Sequence, residues 1–156
     1  MSTFPKTTIS YSDAETERLG EQLAAHLAGG STVALHGELG AGKTVLSRGI
    51  ARGLGIHEPV TSPTFTIVQE YRGTHFRLFH IDLYRIAVDA EALAFGIEEY
   101  LGVADAVTVV EWPDRIEPLL DAAAVRIDMK LQGPTQRLIR CRCVGRHRVN
   151  TRRHSP

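Results

Sequence analysis

The spacing of apolar residues near the start of the chain predicts an amphipathic helix. Leu19, Leu23 and Leu27 recur every four residues, so their side chains share one helical face. Ser12 and Glu15 precede this stripe at the spacing of a capping box. We therefore predict a helix that begins near residue 13 and ends at the glycine pair of residues 29 and 30.

A strand, a glycine-rich loop and a second helix are predicted next. Residues 32–36 form a short run with high β propensity. Further along, Leu46, Ile50 and Leu54 again recur every four residues up to Gly55. This change from an extended run to a helical period indicates a strand–loop–helix unit.

The middle of the chain contains two β-prone runs and one helical segment. Residues 64–71 and 75–82 flank Arg72-Gly73-Thr74, and we expect them to form a hairpin. Residues 91–101 are predicted to be helical, and the side chains expected to face inward are Leu93, Ile97, Tyr100 and Leu101.

The last part of the chain contributes further strands. Residues 106–110 are continuously apolar, which is typical of a central strand covered on both faces. Residues 125–131 and 137–144 alternate between apolar and polar positions and are separated by a Gly-Pro turn. We find no repeat or linker, so residues 1–145 are predicted to be one domain, followed by a basic tail at residues 146–156.

Charge and hydropathy give no sign of a membrane protein and leave polyanion binding to a local patch of charge. The 18 Lys and Arg residues balance the 18 Asp and Glu residues, so no overall field favours nucleic acid. No apolar run reaches the roughly 18 residues of a membrane helix, and residues 1–11 lack the pattern of a signal peptide. We therefore expect a cytoplasmic protein that does not contact the membrane.

The loop at residues 37–44 carries the clearest chemical signal. Its sequence, Gly-Glu-Leu-Gly-Ala-Gly-Lys-Thr, matches G-x-x-x-x-G-K-[ST] at every fixed position and lies between a predicted strand and helix. The motif predicts binding of ATP with Mg²⁺, in which Lys43 reaches the β and γ phosphates and the Thr44 hydroxyl binds the metal. The other loop residues expected to surround the phosphates are Glu38, Leu39, Gly40, Ala41 and Gly42. The predicted fold class is therefore α/β, a three-layer P-loop NTPase fold with a mixed, partly parallel central sheet.

Two carboxylates are candidates for holding magnesium or water. Glu111 follows the continuously apolar run, whereas Asp82 ends an alternating strand that also carries His80. Because a buried central strand belongs beside the loop strand, we prefer Glu111 as the metal ligand. Asp82 could orient the attacking water, hold a metal-bound water, or simply pair with Arg85. For His80 we prefer a packed strand residue to the alternative, a catalytic base.

Hydroxyl groups cluster at residues 61–64, where Thr61, Ser62 and Thr64 surround a proline. Such a segment at a strand start could be an ordinary turn. It could equally be a nucleotide-responsive loop that touches the γ-phosphate or its metal.

Further short motifs accompany the loop in a fixed order. They are Ser-Pro-Thr-Phe-Thr at 62–66, His-Ile-Asp-Leu-Tyr-Arg at 80–85, Phe-Gly-Ile at 95–97 and Val-Glu-Trp-Pro at 110–113. With these motifs the chain resembles the bacterial TsaE (YjeE) family, the small ATPase of tRNA threonylcarbamoyladenosine biosynthesis. The resemblance covers most of the chain, from the first predicted helix to about Arg137.

The resemblance implies roles for residues in and beyond the loop. Lys43 and Thr44 would serve the phosphates and magnesium, and Glu111 would be the second magnesium ligand. The other positions that the resemblance assigns to the site are Asp13 and Thr16 near the base end, Ser62 and Thr64 in a switch-like segment, Asp82, Trp112 and Arg137.

The resemblance also implies partners. The protein would work with TsaB and TsaD, and its ATP hydrolysis would reset that assembly between rounds of modifying adenosine 37 in tRNAs that read codons starting with A. Contact with tRNA would be indirect. The arginines of the tail depart from the family pattern, and they could be solvated or touch tRNA phosphates.

Two other functions are compatible with the loop. A small-molecule kinase shares the motif, but residues 84–100 are acidic and lack the arginine cluster of a kinase lid. A nucleotide-gated binding module would hold ATP without cleaving it, and the presence of two acidic candidates argues against it. No arginine resembles a dedicated arginine finger, so hydrolysis by the lone chain is expected to be slow.

Overall fold

The computed structural model describes residues 4–142, and the predicted tail at residues 146–156 lies outside this part of the chain. Its strands are β1 (Thr7–Ser10), β2 (Thr32–His36), β3 (Val68–Arg72), β4 (Arg77–Asp82), β5 (Ala106–Glu111), β6 (Val125–Leu131) and β7 (Arg137–Arg142). Its α-helices are α1 (Asp13–Ala24), α2 (Lys43–Gly53) and α3 (Asp89–Ala94), and 3₁₀ helices cover Ile97–Tyr100 and Pro113–Leu119. None of these helices has the length and hydrophobicity of a membrane span.

The described strands form one mixed sheet in the order β1-β7-β6-β2-β5-β4-β3. The four central strands, from β6 to β4, run parallel, whereas β1, β7 and β3 join antiparallel at the two sides. Parallel strands require crossovers, so helices cover the faces of the sheet. The observed fold confirms the predicted three-layer α/β class with a partly parallel sheet.

Two hydrophobic clusters lie on opposite faces of the sheet. On one face, α1 and α2 pack against β2, β5 and β6 through residues such as Leu23, Leu46 and Val109. On the other face, Ile97 and Ile116 of the 3₁₀ helices belong to a smaller cluster with Ile81 and Val110. Because side chains alternate along a strand, His80 and Glu111 share the α2 face, whereas their chain neighbours Ile81 and Val110 face the smaller cluster.

Glycines allow α1 and α2 to approach closely. A Cβ atom added at Gly49 of α2 would collide with the backbone carbonyl of Glu17 in α1, and one at Gly20 would lie 2.5 Å from the Leu46 carbonyl oxygen. Only hydrogen atoms fit at these two crossings. The middle of α2 is therefore packed closely against α1.

Local backbone conformation explains where two predicted elements differ from the structure. The helix predicted at residues 91–101 is wrong as one element, because Gly96 adopts φ +67° and separates α3 from the following 3₁₀ helix. Leu93, predicted to face inward, is 49% exposed, whereas Ile97 is fully buried. The strand predicted from residue 64 begins only at Val68, since the preceding Ile67 has φ +68°.

Candidate functional site

The loop between β2 and α2 has the backbone conformation that its glycines permit. Gly40 and Gly42 adopt φ values of +82° and +99°, in the left-handed region that is costly for residues with a Cβ. Gly42 caps α2 without a side-chain hydrogen bond, and no acidic residue occupies the first turn of this helix. The N–H groups and positive dipole end of α2 are thus available to an anion.

Lys43 is buried inside this loop and contacts the loop's own backbone. Its Nζ donates hydrogen bonds to the carbonyl oxygens of Gly37 at 2.5 Å and Glu38 at 3.0 Å. The same ammonium lies 3.9 Å from the centre of the Trp112 ring. Burial lowers the pKa of Lys43 below its usual 10.5, and the nearby carboxylates of Glu111 and Asp82 oppose this shift.

Thr44 and Glu111 meet at the end of the sheet, as the parallel register requires. β2 and β5 are neighbours with Leu35 opposite Glu111, so the acid lies beside the start of α2. The Thr44 hydroxyl donates to Glu111 Oε1 at 3.0 Å and lies 3.3 Å from Oε2. Glu111 is only 2% exposed and also contacts His80, whose Nε2 lies 2.5 Å from Oε2.

Asp82 holds the hydroxyl-rich segment next to this pair. It lies opposite Glu111 in the register of β4 and β5. Its Oδ2 accepts hydrogen bonds from Ser62 Oγ at 2.8 Å and Thr64 Oγ1 at 3.1 Å, and its Oδ1 accepts one from the Tyr84 N–H. The alternative pairing with Arg85 is not formed, since that guanidinium stacks 4.2 Å from the centre of the Phe65 ring.

These groups open onto one cavity of about 290 Å³. Arg137 lies on its wall and places a guanidinium nitrogen 3.8 Å from Asp13. Two other nitrogens of Arg137, Nε and Nη1, are buried and have no hydrogen-bond partner within residues 4–142. The lining residues are Asp13, Leu39, Gly40, Gly42, Lys43, Thr44, Val45, Ser62, Thr64, Asp82, Tyr84, Glu111, Trp112 and Arg137.

Comparison with known proteins identifies the family. Residues 10–139 match the family model described as threonylcarbamoyl adenosine biosynthesis protein TsaE. The chain belongs to the TsaE family. Its relatives include the tRNA threonylcarbamoyladenosine biosynthesis proteins TsaE of Bacillus subtilis, 40% identical over 84% of this chain and 81% of that one, and of Synechocystis, 46% identical over 67% and 68%.

A solved structure supports the TsaE fold. The crystal structure of Bacillus subtilis YdiB superposes with a TM-score of 0.74 and 34% sequence identity, and it covers 89% of this chain and 85% of that one. The comparison confirms the resemblance drawn from the sequence motifs and the P-loop NTPase fold.

Three residues that we predicted to bind the cofactor do not line the cavity of this TsaE chain. Thr16 is 1% exposed, and its hydroxyl hydrogen-bonds to Ser10 Oγ at 2.7 Å instead of facing the cavity. Ala41 is fully buried in the core. Glu38 meets a separate cavity, while its carbonyl oxygen accepts from Lys43.

Sequence reasoning missed two neighbours of the site. Tyr84 lines the cavity and stacks on Trp112 with ring centres 5.0 Å apart. His80 is fully buried, which confirms our interpretation as a packed strand residue, but its contact with Glu111 is not among our predictions. Its position two residues before Asp82 was a usable signal, because residues i and i+2 of a strand share one face.

The donors at the phosphate end fit a magnesium ion. Thr44 and Glu111 offer only oxygen atoms, which are the ligands that Mg²⁺ prefers. The described residues contain no group of three His, Cys, Asp or Glu side chains that could hold a metal by themselves. This agrees with a site in which the protein supplies one or two ligands and a nucleotide phosphate supplies others.

Proposed function

We propose that this TsaE chain is a Mg²⁺-dependent ATPase that acts with TsaB and TsaD in forming N6-threonylcarbamoyladenosine at position 37 of tRNAs reading codons that begin with A. The observation that supports ATPase activity is that Thr44, Glu111 and Asp82 lie together in the loop cavity. Family membership supports the pathway, since the curated relatives are named for it. The reaction belongs in the cytoplasm, where tRNA is modified.

The loop residues would hold the nucleotide. The glycine loop and the first turn of α2 present N–H groups to the phosphates, and Lys43 exchanges its carbonyl partners for phosphate oxygens. Arg137 lies next to Gly42, since a Cβ atom added there would be 2.9 Å from its Nε, and its unpartnered Nε and Nη1 can donate to acceptors of the nucleotide. Asp13 lies beside this arginine, and the family resemblance puts it near the base.

The acidic residues would organise hydrolysis. Thr44 and Glu111 are placed to hold Mg²⁺, which when bound neutralises charge on the phosphates. Asp82 is a second buried carboxylate, 4% exposed, and it can orient the attacking water or hold a metal-bound water. Ser62 and Thr64 are bound to this carboxylate, so the switch-like segment is coupled to the site.

Among the described residues that line the cavity, Lys43 and Arg137 are the only cationic side chains. Arg137 lies beside Gly42 and Asp13, and no other described arginine lines the cavity next to Asp82 and Glu111, so a dedicated arginine finger is missing there. A partner that supplies or positions the missing charge would accelerate hydrolysis. TsaB and TsaD are the partners that we propose for this role.

The test is ATP turnover by the purified chain, alone and with TsaB, TsaD and substrate tRNA. We expect slow turnover alone and an increase of about 10-fold or more in the complete mixture. Equal turnover in both conditions would refute partner dependence. Transfer of the γ-phosphate to a metabolite would instead support the kinase, and ATP binding without cleavage in the complete mixture would support the binding module.

A further inference from the structure

His80 is completely buried at the edge of the candidate magnesium site. Its side chain has no solvent exposure and lies on the α2 face of β4, two residues before Asp82. An apolar residue would fill this position without any polar cost, as Leu78 does one step earlier on the same face. A buried imidazole is therefore expected to have a polar partner that offsets the cost of removing it from water.

The polar partner is the carboxylate of Glu111. His80 Nε2 lies 2.5 Å from Glu111 Oε2, while Glu111 Oε1 accepts from the Thr44 hydroxyl at 3.0 Å. A carboxylate at 2% exposure needs such donors, because burial removes the water that would otherwise solvate it. His80 thus holds Oε2, while Thr44 lies nearer to Oε1 and 3.3 Å from Oε2.

The other ring nitrogen indicates which atom carries hydrogen. Nδ1 of His80 is buried and has no hydrogen-bond partner within residues 4–142. The carboxylate can only accept, so the hydrogen between the two groups belongs to Nε2. Nδ1 is then a bare acceptor, which is less costly to leave unpartnered in the interior than an N–H group.

We propose that His80 is a positioning residue for the magnesium site: its Nε2–H fixes the carboxylate of Glu111 so that Oε1 is turned toward Thr44. The inference rests on the proposed function, in which Thr44 and Glu111 hold the metal. Partners that orient metal ligands in this way typically contribute 10- to 100-fold in metal affinity. His80 itself touches neither phosphate nor metal.

Two amide variants separate positioning from packing. In His80→Gln, the amide nitrogen reaches the place of Nε2 and can still donate to Glu111. In His80→Asn, the shorter side chain ends near the place of Nδ1 and removes the His80 donor from Oε2, which leaves the Thr44 hydroxyl at 3.3 Å as its donor. Both variants remove the aromatic ring, so a role in packing alone would make the shorter Asn only gradually worse.

The measurement is ADP affinity by calorimetry on the full chain, in Mg²⁺ and in EDTA. We expect Mg²⁺ to tighten ADP binding in the wild type and in His80→Gln by similar factors. His80→Asn should lose about 10-fold or more of this gain while its affinity in EDTA stays within about 2-fold of the wild type. Thr108→Val is the control, because it removes another buried hydrogen bond of the sheet, to the Tyr100 carbonyl oxygen, away from the metal ligands.

Several results would overturn the inference. One is a full Mg²⁺ gain in His80→Asn, and another is an equal loss of ADP affinity in Mg²⁺ and EDTA in both amide variants. If His80→Asn fails to fold, NMR of the ¹⁵N-labelled wild type decides: hydrogen on Nε2 supports the inference, and hydrogen on Nδ1 without hydrogen on Nε2 refutes it. Absence of any Mg²⁺ gain in the wild type would refute the proposed function itself, and it is visible without a variant.

Discussion

At the scale of single residues, the main feature is a pair of buried carboxylates on adjacent strands. Asp82 and Glu111 are opposite each other in the parallel register and are 4% and 2% exposed. Each accepts hydrogen bonds from two side chains, Ser62 and Thr64 for Asp82, and Thr44 and His80 for Glu111. Two acids held side by side create a strong local preference for a cation.

Replacing Glu111 with Gln tests this preference. The substitution keeps the size of the side chain but removes its charge and one of two acceptor oxygens, so an amide N–H would face either His80 or Thr44. We expect ATP turnover to fall by about 100-fold or more, since the metal loses its anionic ligand. The measurement is phosphate release in the presence of Mg²⁺, TsaB and TsaD.

Glu58→Gln is a matched control, because Glu58 is an exposed acid that does not line the cavity. Its turnover should equal that of the wild type. Unchanged turnover in Glu111→Gln would contradict the assignment of this carboxylate.

Trp112 provides a signal for nucleotide binding at the same scale. It is the single tryptophan of the chain, and the Lys43 ammonium contacts its ring. When phosphates bind Lys43, this contact should weaken, so we expect tryptophan emission to change on addition of MgADP but not of adenosine. In Lys43→Met the change should disappear, and an equal change with adenosine would disprove the link to the phosphates.

The sequence predicts some residues of the site better than others. Lys43 and Thr44 follow from a local motif, and Glu111 follows from its place after a buried strand. The contacts of His80 with Glu111 and of Tyr84 with Trp112 join segments that are distant in the sequence, so spacing alone does not reveal them. Thr16 instead bonds to the nearby Ser10, in an edge strand that the sequence pattern did not predict.

At the scale of elements, hydrophobic periodicity predicts the helices and strands that bury one face. The periods of α1 and α2 and the alternation of β6 are read directly from the chain, and the structure confirms them. The break after α3 was missed because Gly96 interrupts a continuous helical pattern. β1 was also missed, because an edge strand of 4 residues gives too short a pattern.

The close contact of α1 and α2 leads to a prediction about stability. In Gly49→Ala the new Cβ collides with the Glu17 backbone, and backbone atoms cannot move aside as a flexible side chain would. We expect the free energy of unfolding to fall by about 1–3 kcal/mol, despite the better helix propensity of alanine. Chemical denaturation measures this change.

Gly133→Ala is the matched control for this substitution. No atom lies within 4 Å of the added Cβ at Gly133, so stability should stay within about 0.5 kcal/mol. A stable Gly49→Ala protein would show that the two helices can separate without cost.

At the scale of the whole molecule, the topology brings distant parts of the chain to one edge of the sheet. The cavity is lined by residues from Asp13 to Arg137, and these come from α1, α2, β4, β5 and β7. Partial unfolding of any of these elements would remove part of the site. A bound nucleotide should therefore stabilise the whole described domain.

Thermal unfolding tests this coupling. MgADP at about 100 times its dissociation constant should add about 2.7 kcal/mol and raise Tm by roughly 5–10 °C. Adenosine at the same concentration should give a much smaller shift, because the phosphate end supplies most of the polar contacts. Equal Tm shifts with MgADP and adenosine would show that the nucleoside, and not the phosphates, supplies most of the binding free energy.

The Lys43 ammonium must give up hydrogen bonds to backbone carbonyl oxygens before it can bind an anion. The ammonium already has two carbonyl oxygens and an aromatic ring, so an incoming anion must replace them before it gains anything. Chloride offers a single charge and cannot also use the amides of the loop and helix at several points. A polyphosphate can, so we expect the loop to favour a polyphosphate over small monovalent anions.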